Sequence, residues 1–189
     1  MKSLKQYLLF VFQDRIAYGQ QPQYKWLFSI CRQPNALKLV YYLRNAQYFN
    51  NVDNKLGGVV CWFWKKKYNS LCDSLNVFLP FETQIGPGLR FPHSFPLVIN
   101  PEAKIGKCCT IHPCVLIGRN RAKEGAPIIG DYCFIGHGVK IIGNPIIGDN
   151  CFISPAAIVT KDIPSGSLVG AGLNNIIGGN GKEHVEYYL

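Results

Sequence analysis

Between Leu79 and Val159 the chain returns to an aliphatic or aromatic residue on a six-residue clock. Ile99, Ile105, Ile111 and Ile117 fall six apart, and after one gap of twelve Ile129, Ile135, Ile141, Ile147, Ile153 and Val159 keep the same count. Upstream, Leu79, Ile85 and Phe91 hold the beat, which breaks only in the eight-residue step from Phe91 to Ile99. A helical face recurs at about 3.6 residues and an amphipathic strand at about 2, so neither accounts for a period of six. A fixed hexapeptide period marks a parallel β-helix, in which each hexad supplies one short strand and one turn. Three hexads make a triangular coil, and residues 77–165 hold about five coils. The clock residues point inward and stack. Ala103, Cys109, Val115, Cys133, Val139, Cys151 and Ala157, each four residues after a clock position, form a second inward slot for small side chains. Gly86, Gly106, Gly118, Gly130, Gly136 and Gly148 directly follow a clock residue. They are expected to turn the corners of the coils, because glycine adopts turn conformations without steric cost.

Residues 1–75 follow a different pattern. Asn35 to Phe49 places Leu39, Tyr42, Leu43 and Ala46 at helical spacing behind Pro34. Lys2 to Ala17, closed by Gly19, is a second predicted helix, and a third runs from about Val59, after Gly57-Gly58, to Leu75. Gln20 to Tyr24, with Pro22, reads as a connection. The fold class is therefore mainly β, a β-helix with a small helical N-terminal segment. The expected divisions are the helical segment 1–75, the β-helix domain 76–178 and a polar tail 179–189.

Composition sharpens this division. Of the net charge of +9, residues 1–75 carry +8, from 11 Lys and Arg against 3 Asp and Glu. The same segment holds 15 of the 24 aromatic residues, so the basic and aromatic character belongs to the helices. Trp62-Phe63-Trp64-Lys65-Lys66-Lys67 has the composition of a segment that meets an anionic membrane surface. The plainer expectation is a helix that packs its aromatics on the β-helix and leaves its lysines in water. No nucleic-acid-binding motif is present. The apolar run from Tyr7 to Phe12 is too short for a membrane span and lacks the cleavage site of a signal peptide, so a cytoplasmic location, at most peripheral to the inner membrane, is expected. The eight cysteines include no Cys-x-x-Cys pair, and Cys109, Cys133 and Cys151 read as core filler in a reducing compartment.

The eight-residue step and the gap of twelve carry the candidate chemistry. One holds Pro92-His93-Ser94-Phe95-Pro96, and the other Arg119-Asn120-Arg121-Ala122-Lys123-Glu124-Gly125. A repeat admits insertions as outer loops, where function tends to sit. The segment Ile85-Gly86-Pro87-Gly88-Leu89-Arg90-Phe91-Pro92-His93, followed by Leu97-Val98-Ile99-Asn100, resembles the stretch of the serine O-acetyltransferases that carries their catalytic histidine. The run from Pro127 through Ile142-Gly143-Asn144 to Val159-Thr160-Lys161-Asp162-Ile163-Pro164 resembles their last coils. Relatives of that family acetylate bacterial polysaccharide sugars. The resemblance covers roughly residues 77–178. It implies left-handed crossovers, against the usual right-handed rule.

The resemblance further implies transfer of acetyl from acetyl-CoA to a hydroxyl, with His93 as general base. A histidine suits that work because its pKa lies near operating pH. It implies a homotrimer with active sites between subunits. Gly118, Arg119, His137, Pro155 and Lys161 then line the CoA groove, and no metal is expected. His112 and His137 otherwise read as exposed turn residues, and the loop cations Arg119, Arg121 and Lys123 as phosphate contacts or as solvated charge. Charged residues that would grip an amino acid are replaced. Pro92 and Phe78 stand where the family has Asp, and Gly125-Ala126 where it has Arg-His. Loss of those groups favours a sugar hydroxyl over serine. Glu82 or a backbone carbonyl is the expected orienting partner of His93. Two rival readings are a zinc-dependent β-helix carbonic anhydrase using His93, His112 and His137, which are 19 and 25 apart, and a non-catalytic trimer.

Overall fold

The computed structural model describes residues 3–19, 34–93, 96–120, 124–173 and 175–188. Lys2, the connection Gln20–Tyr24, Ser94-Phe95, Arg121-Ala122-Lys123 and Asn174 lie outside the described residues. Helices α1 (Leu4–Ala17), α2 (Asn35–Phe49) and α3 (Lys55–Leu75) precede the β-helix. Ser3 caps α1 by accepting the Gln6 N–H. The third helix starts earlier than the Gly57-Gly58 pair suggests, because Asn54 caps it by accepting the Gly57 N–H at 2.6 Å. It ends on Asn76, whose φ of 53° is the left-handed turn of a helix C-terminus.

The chain then winds in coils. The first is β1 (Val77–Phe78), β2 (Gln84–Ile85) and a bridge at Arg90. The second is β3 (Leu97–Ile99), β4 (Lys104–Ile105) and β5 (Thr110–Ile111), and the third β6 (Leu116–Gly118), β7 (Ile128–Ile129) and β8 (Phe134–Ile135). Next come β9 (Lys140–Ile142), β10 (Ile146–Ile147) and β11 (Phe152–Ile153), then β12 (Ala157–Val159), a bridge at Ile163 and β13 (Leu168–Val169). Each strand pairs in parallel with its equivalent one coil on, which builds three faces. Strand β14 (Gly172–Leu173) ends the first face, and β15 (Ile176–Gly178) turns back antiparallel on the third. Helix α4 (Gly181–Tyr188) follows, so the expected polar tail contains a helix, and its Val185 packs on Phe134 and Phe152.

Every clock residue from Leu79 to Val159 is buried, and register pairs stack them: Ile85, Ile105, Ile129 and Ile147 on the second face, Ile99, Ile117, Ile141 and Val159 on the first. The small slot is buried as well. The Cys109, Cys133 and Cys151 thiols donate to the Gly130, Gly148 and Pro164 carbonyls of the next coil at 3.1–3.2 Å. Hydrogen bonding with the neighbouring thiol, and after it burial, pushes Cys133 and Cys151 above the ordinary thiol range, which keeps them protonated and inert.

The glycines do a different job from the one expected. A Cβ on Gly106 would stand 2.5 Å from the Gly130 carbonyl carbon, and one on Gly130 would stand 2.8 Å from that of Gly148. These residues are small because successive coils touch at the corner. The left-handed turn falls two residues later, on Gly88, Cys108, Tyr132, Asn150 and Gly166, with φ between 54° and 78°. Gly118 is the exception, since a Cβ there would meet nothing closer than 4.0 Å.

Between those positions lies a side-chain ladder. Asp131 accepts the Lys107 N–H, Asp149 the Asp131 N–H, and Ser165 the Asp149 N–H, at 2.7–3.0 Å. The helical segment shares one apolar cluster with the β-helix through Leu39, Val40, Leu43, Tyr68 and Cys72. Its aromatics do not all pack as expected. Trp64 lies on Tyr41 and Tyr42, but Trp62 and Phe63 are exposed, as are Leu4, Leu8, Leu9 and Phe12 of α1. Among the described residues, no helix is long and apolar enough to cross a membrane.

Candidate active site

Each coil leaves the third face through an edge, and His93 lies on the edge of the first coil. Phe91 anchors the step inside the core, and two residues later His93 is exposed. The same edge position, two residues after a clock residue, holds Pro113, His137 and Pro155 on the following coils. Three of the sequence-predicted site residues thus align along one edge. His137 and Pro155 are exposed, and the His137 carbonyl accepts the Ala156 N–H at 2.9 Å.

His112 completes this edge. It is half-buried rather than an exposed turn residue, because Phe134 of the next coil lies against its ring at 4.8 Å between centroids. Its other side meets the His93 ring edge-on at 5.9 Å. Phe134 stacks in turn on Phe152 at 4.5 Å, so an aromatic ladder runs from His93 to the surface covered by α4. Burial, and after it the nearby charges of His93, Arg90 and His137, lower the His112 pKa below the ordinary histidine value. His112 is therefore neutral at neutral pH and puts no positive charge against His93.

The remaining predicted residues lie elsewhere. Gly118, Arg119 and Lys161 sit on the edge that leaves the first face. Arg119 pairs with Glu102 at 3.0 Å on the exposed surface, and Lys161 is exposed. One protomer therefore carries the expected groove residues on two separate edges. Glu82 is not beside His93. It precedes β2 on the edge after the first face and lines a groove of about 610 Å3 with Gln6, Gln47 and Lys104. Among the described residues, no group of three or more His, Cys, Asp or Glu stands where it could hold a metal ion.

Sequence reasoning missed a buried ion pair behind the site. Arg44 of α2 donates from Nε to Asp14 of α1 at 2.8 Å, and both side chains are almost wholly out of solvent. The signal was present. Asp14 interrupts the apolar run of α1, and Arg44 falls among Leu43 and Ala46 on the inward face of α2. A charge at such a position is buried only when paired.

Comparison with known proteins agrees with this fold. Residues 126–161 match the model of the bacterial transferase hexapeptide (six repeats). The chain carries hexapeptide repeats and shares the left-handed β-helix fold of the serine acetyltransferases. It superposes on serine acetyltransferase isoform 3 of Entamoeba histolytica in complex with cysteine, with a TM-score of 0.66 at 26% identity, over 87% of this chain and 58% of that one. The Neisseria gonorrhoeae serine acetyltransferase gives a TM-score of 0.73 at 22% identity, over 94% and 68%. The Brucella abortus strain S19 enzyme in complex with coenzyme A gives 0.72 at 20%, over 93% and 69%. The chain thus spans 58% to 69% of the length of these three proteins. No curated protein matches it significantly by sequence.

Proposed function

We propose that this protein is an acetyl-CoA-dependent O-acetyltransferase in which His93 is the general base and a sugar hydroxyl the preferred acceptor, with L-serine next. The observation that carries the reading is His93 itself, exposed on the edge of the first coil with the His112 ring against it, in a fold shared with serine acetyltransferases, one of them in complex with coenzyme A. Neutral His93 takes the proton of the acceptor hydroxyl as its oxygen bonds to the thioester carbonyl carbon. Collapse of the tetrahedral intermediate breaks the C–S bond, and the leaving thiolate takes up the proton. The acetyl ester and free CoA remain.

The two edges of the groove suggest how the site is completed. His137 and Pro155 would face Gly118, Arg119 and Lys161 of a neighbouring copy in a homotrimer. The first face supports such packing, since its outward row includes exposed Phe78 and Val98 and half-buried Leu116 and Ile158. The sugar preference rests on the acceptor side. Phe78, Pro92 and Gly125-Ala126 offer no charge to hold a zwitterion, and a site built for charge pairs discriminates through them. Exposed Trp62 and Phe63 beside Lys65, Lys66 and Lys67 support a second reading, contact with an anionic lipid surface. Sedimentation with anionic and neutral vesicles tests it, and equal recovery with both counts against it.

The main test is acetyl-CoA consumption over a panel of serine, simple sugars and nucleotide sugars. His93→Ala is expected to lose about 10²–10⁴ in turnover while its thermal unfolding stays cooperative. Turnover equal to that of the parent would remove His93 from the mechanism, and activity on serine alone would overturn the sugar preference.

A further inference from the structure

The turn that brings the chain from Ile85 to His93 is gripped from outside the β-helix. Asp14 Oδ1 accepts the N–H groups of Gly88 at 2.7 Å and Leu89 at 3.0 Å. Arg44, fully buried, donates to the carbonyl oxygens of Ile85 at 2.8 Å and Gly86 at 2.6 Å. Its Nε and Nη2 also reach Asp14, at 2.8 and 3.3 Å. Tyr18, just past the end of α1, accepts the Phe91 N–H at 2.8 Å, two residues before His93. Burial holds the Tyr18 phenol above its ordinary range, so it stays neutral.

The later corners do not need such help. Each takes its polar partner from the next coil, through Asp131, Asp149 and Ser165. In the first coil the equivalent position is Pro87, which has no N–H to donate. An apolar cap would leave the N–H groups of Gly88 and Leu89 and the carbonyls of Ile85 and Gly86 without these partners, which costs free energy. What the pair adds is direction. A planar guanidinium and a carboxylate fix five backbone groups, with Tyr18, in one geometry.

We propose that Asp14, Arg44 and Tyr18 are positioning residues for His93, so that the helical segment sets the place from which the base acts. This rests on His93 being the base. A displacement of about 1 Å at a reacting group can cost roughly a hundredfold in rate, which makes the grip visible in kinetics.

The experiment uses the full chain and acetyl-CoA, with the best acceptor of the panel or, where none is taken, with water. Tyr18→Phe keeps the ring and removes the acceptor for Phe91. It is expected to lower kcat about tenfold, leave the KM for acetyl-CoA within about twofold, and speed amide exchange over residues 86–93. Asp14→Ala should lose about a hundredfold in kcat, while Asp14→Asn, which still accepts from Gly88 and Leu89, should recover most of it. Parental kcat in Tyr18→Phe overturns the proposal whatever the exchange shows. So does a parallel loss of kcat, acetyl-CoA binding and thermal midpoint in all three variants, which marks a purely structural role. His93→Ala runs alongside, and if it keeps full turnover the base assignment fails instead.

Discussion

The first coil and the four after it are built from the same hexads but held by different means. In the later coils each corner is secured by its successor: glycines let the backbones touch, a left-handed residue turns the chain, and Asp131, Asp149 and Ser165 bond the N–H of the coil before. The first coil has Pro87 in that ladder and a charge network from α1 and α2 in its place. Tyr68 of α3 adds a hydrogen bond to the Leu79 carbonyl, and Gln47 of α2 bonds those of Phe81 and Thr83. A repeat is self-sufficient wherever each unit finds an equal beside it. Its first unit has no predecessor, and here the helices supply that missing neighbour. The candidate base sits where the two modes of support meet.

Breaking one partner of the network should have the largest effect on stability. Arg44→Ala leaves Asp14 buried and unpaired, and a loss of about 3–5 kcal/mol is expected in denaturant unfolding. The double variant Asp14→Leu with Arg44→Met should recover little of that loss, because the N–H groups of Gly88 and Leu89 and the carbonyls of Ile85 and Gly86 stay without their side-chain partners. If Arg44→Ala is neutral, the first coil needs no anchor. Gly130→Ala probes the other mode. Its Cβ would come within 2.3 Å of the Asp149 Oδ1 and 2.8 Å of the Gly148 carbonyl carbon, and a loss of about 1–3 kcal/mol is expected. An equal loss at Gly118, where a Cβ has open space, would break the explanation by coil contact.

A smaller gain should come from Ala156, which adopts φ 61° on the edge of the fourth coil. Ala156→Gly should stabilise by up to about 1 kcal/mol, since the left-handed region penalises a Cβ. Unfolding midpoints would show it directly. The smallest effect concerns His112. Its folded pKa lies below that of an unfolded histidine, about 6.5, so the unfolded chain binds more protons once pH falls past that value. Stability is intact above it and declines as pH drops through the folded value. A thermal-midpoint profile from pH 8 to pH 5, on the order of routine buffer range, should fall at its acid end, and His112→Phe should flatten the fall.

The clock in the sequence was enough for the interior. Ile99, Ile117, Ile141 and Val159 stack as their spacing requires, because a period of six leaves one geometry in which every sixth side chain shares a core. Asn35 to Phe49 was equally legible, since its apolar residues fall at helical spacing behind a proline. The glycines were legible as a position but not as a cause, because the contact that selects them is made with residues about eighteen or more places away in the chain. His93 was visible as an interruption. Its surroundings were not, because His112 reaches it from the second coil and Phe134 supports His112 from the third.

What the sequence by itself determined is therefore the repeat: which residues face inward, where the count breaks, and which histidine the break exposes. A local period carries that information because each coil repeats the same short-range choice. The tertiary structure alone decided what stands around the break. Asp14 and Arg44 lie 30 residues apart on two helices, and Asp14 meets Gly88 across 74 residues. No period links them, and only the packing of the helices on the first coil brings their charges to the turn that carries His93.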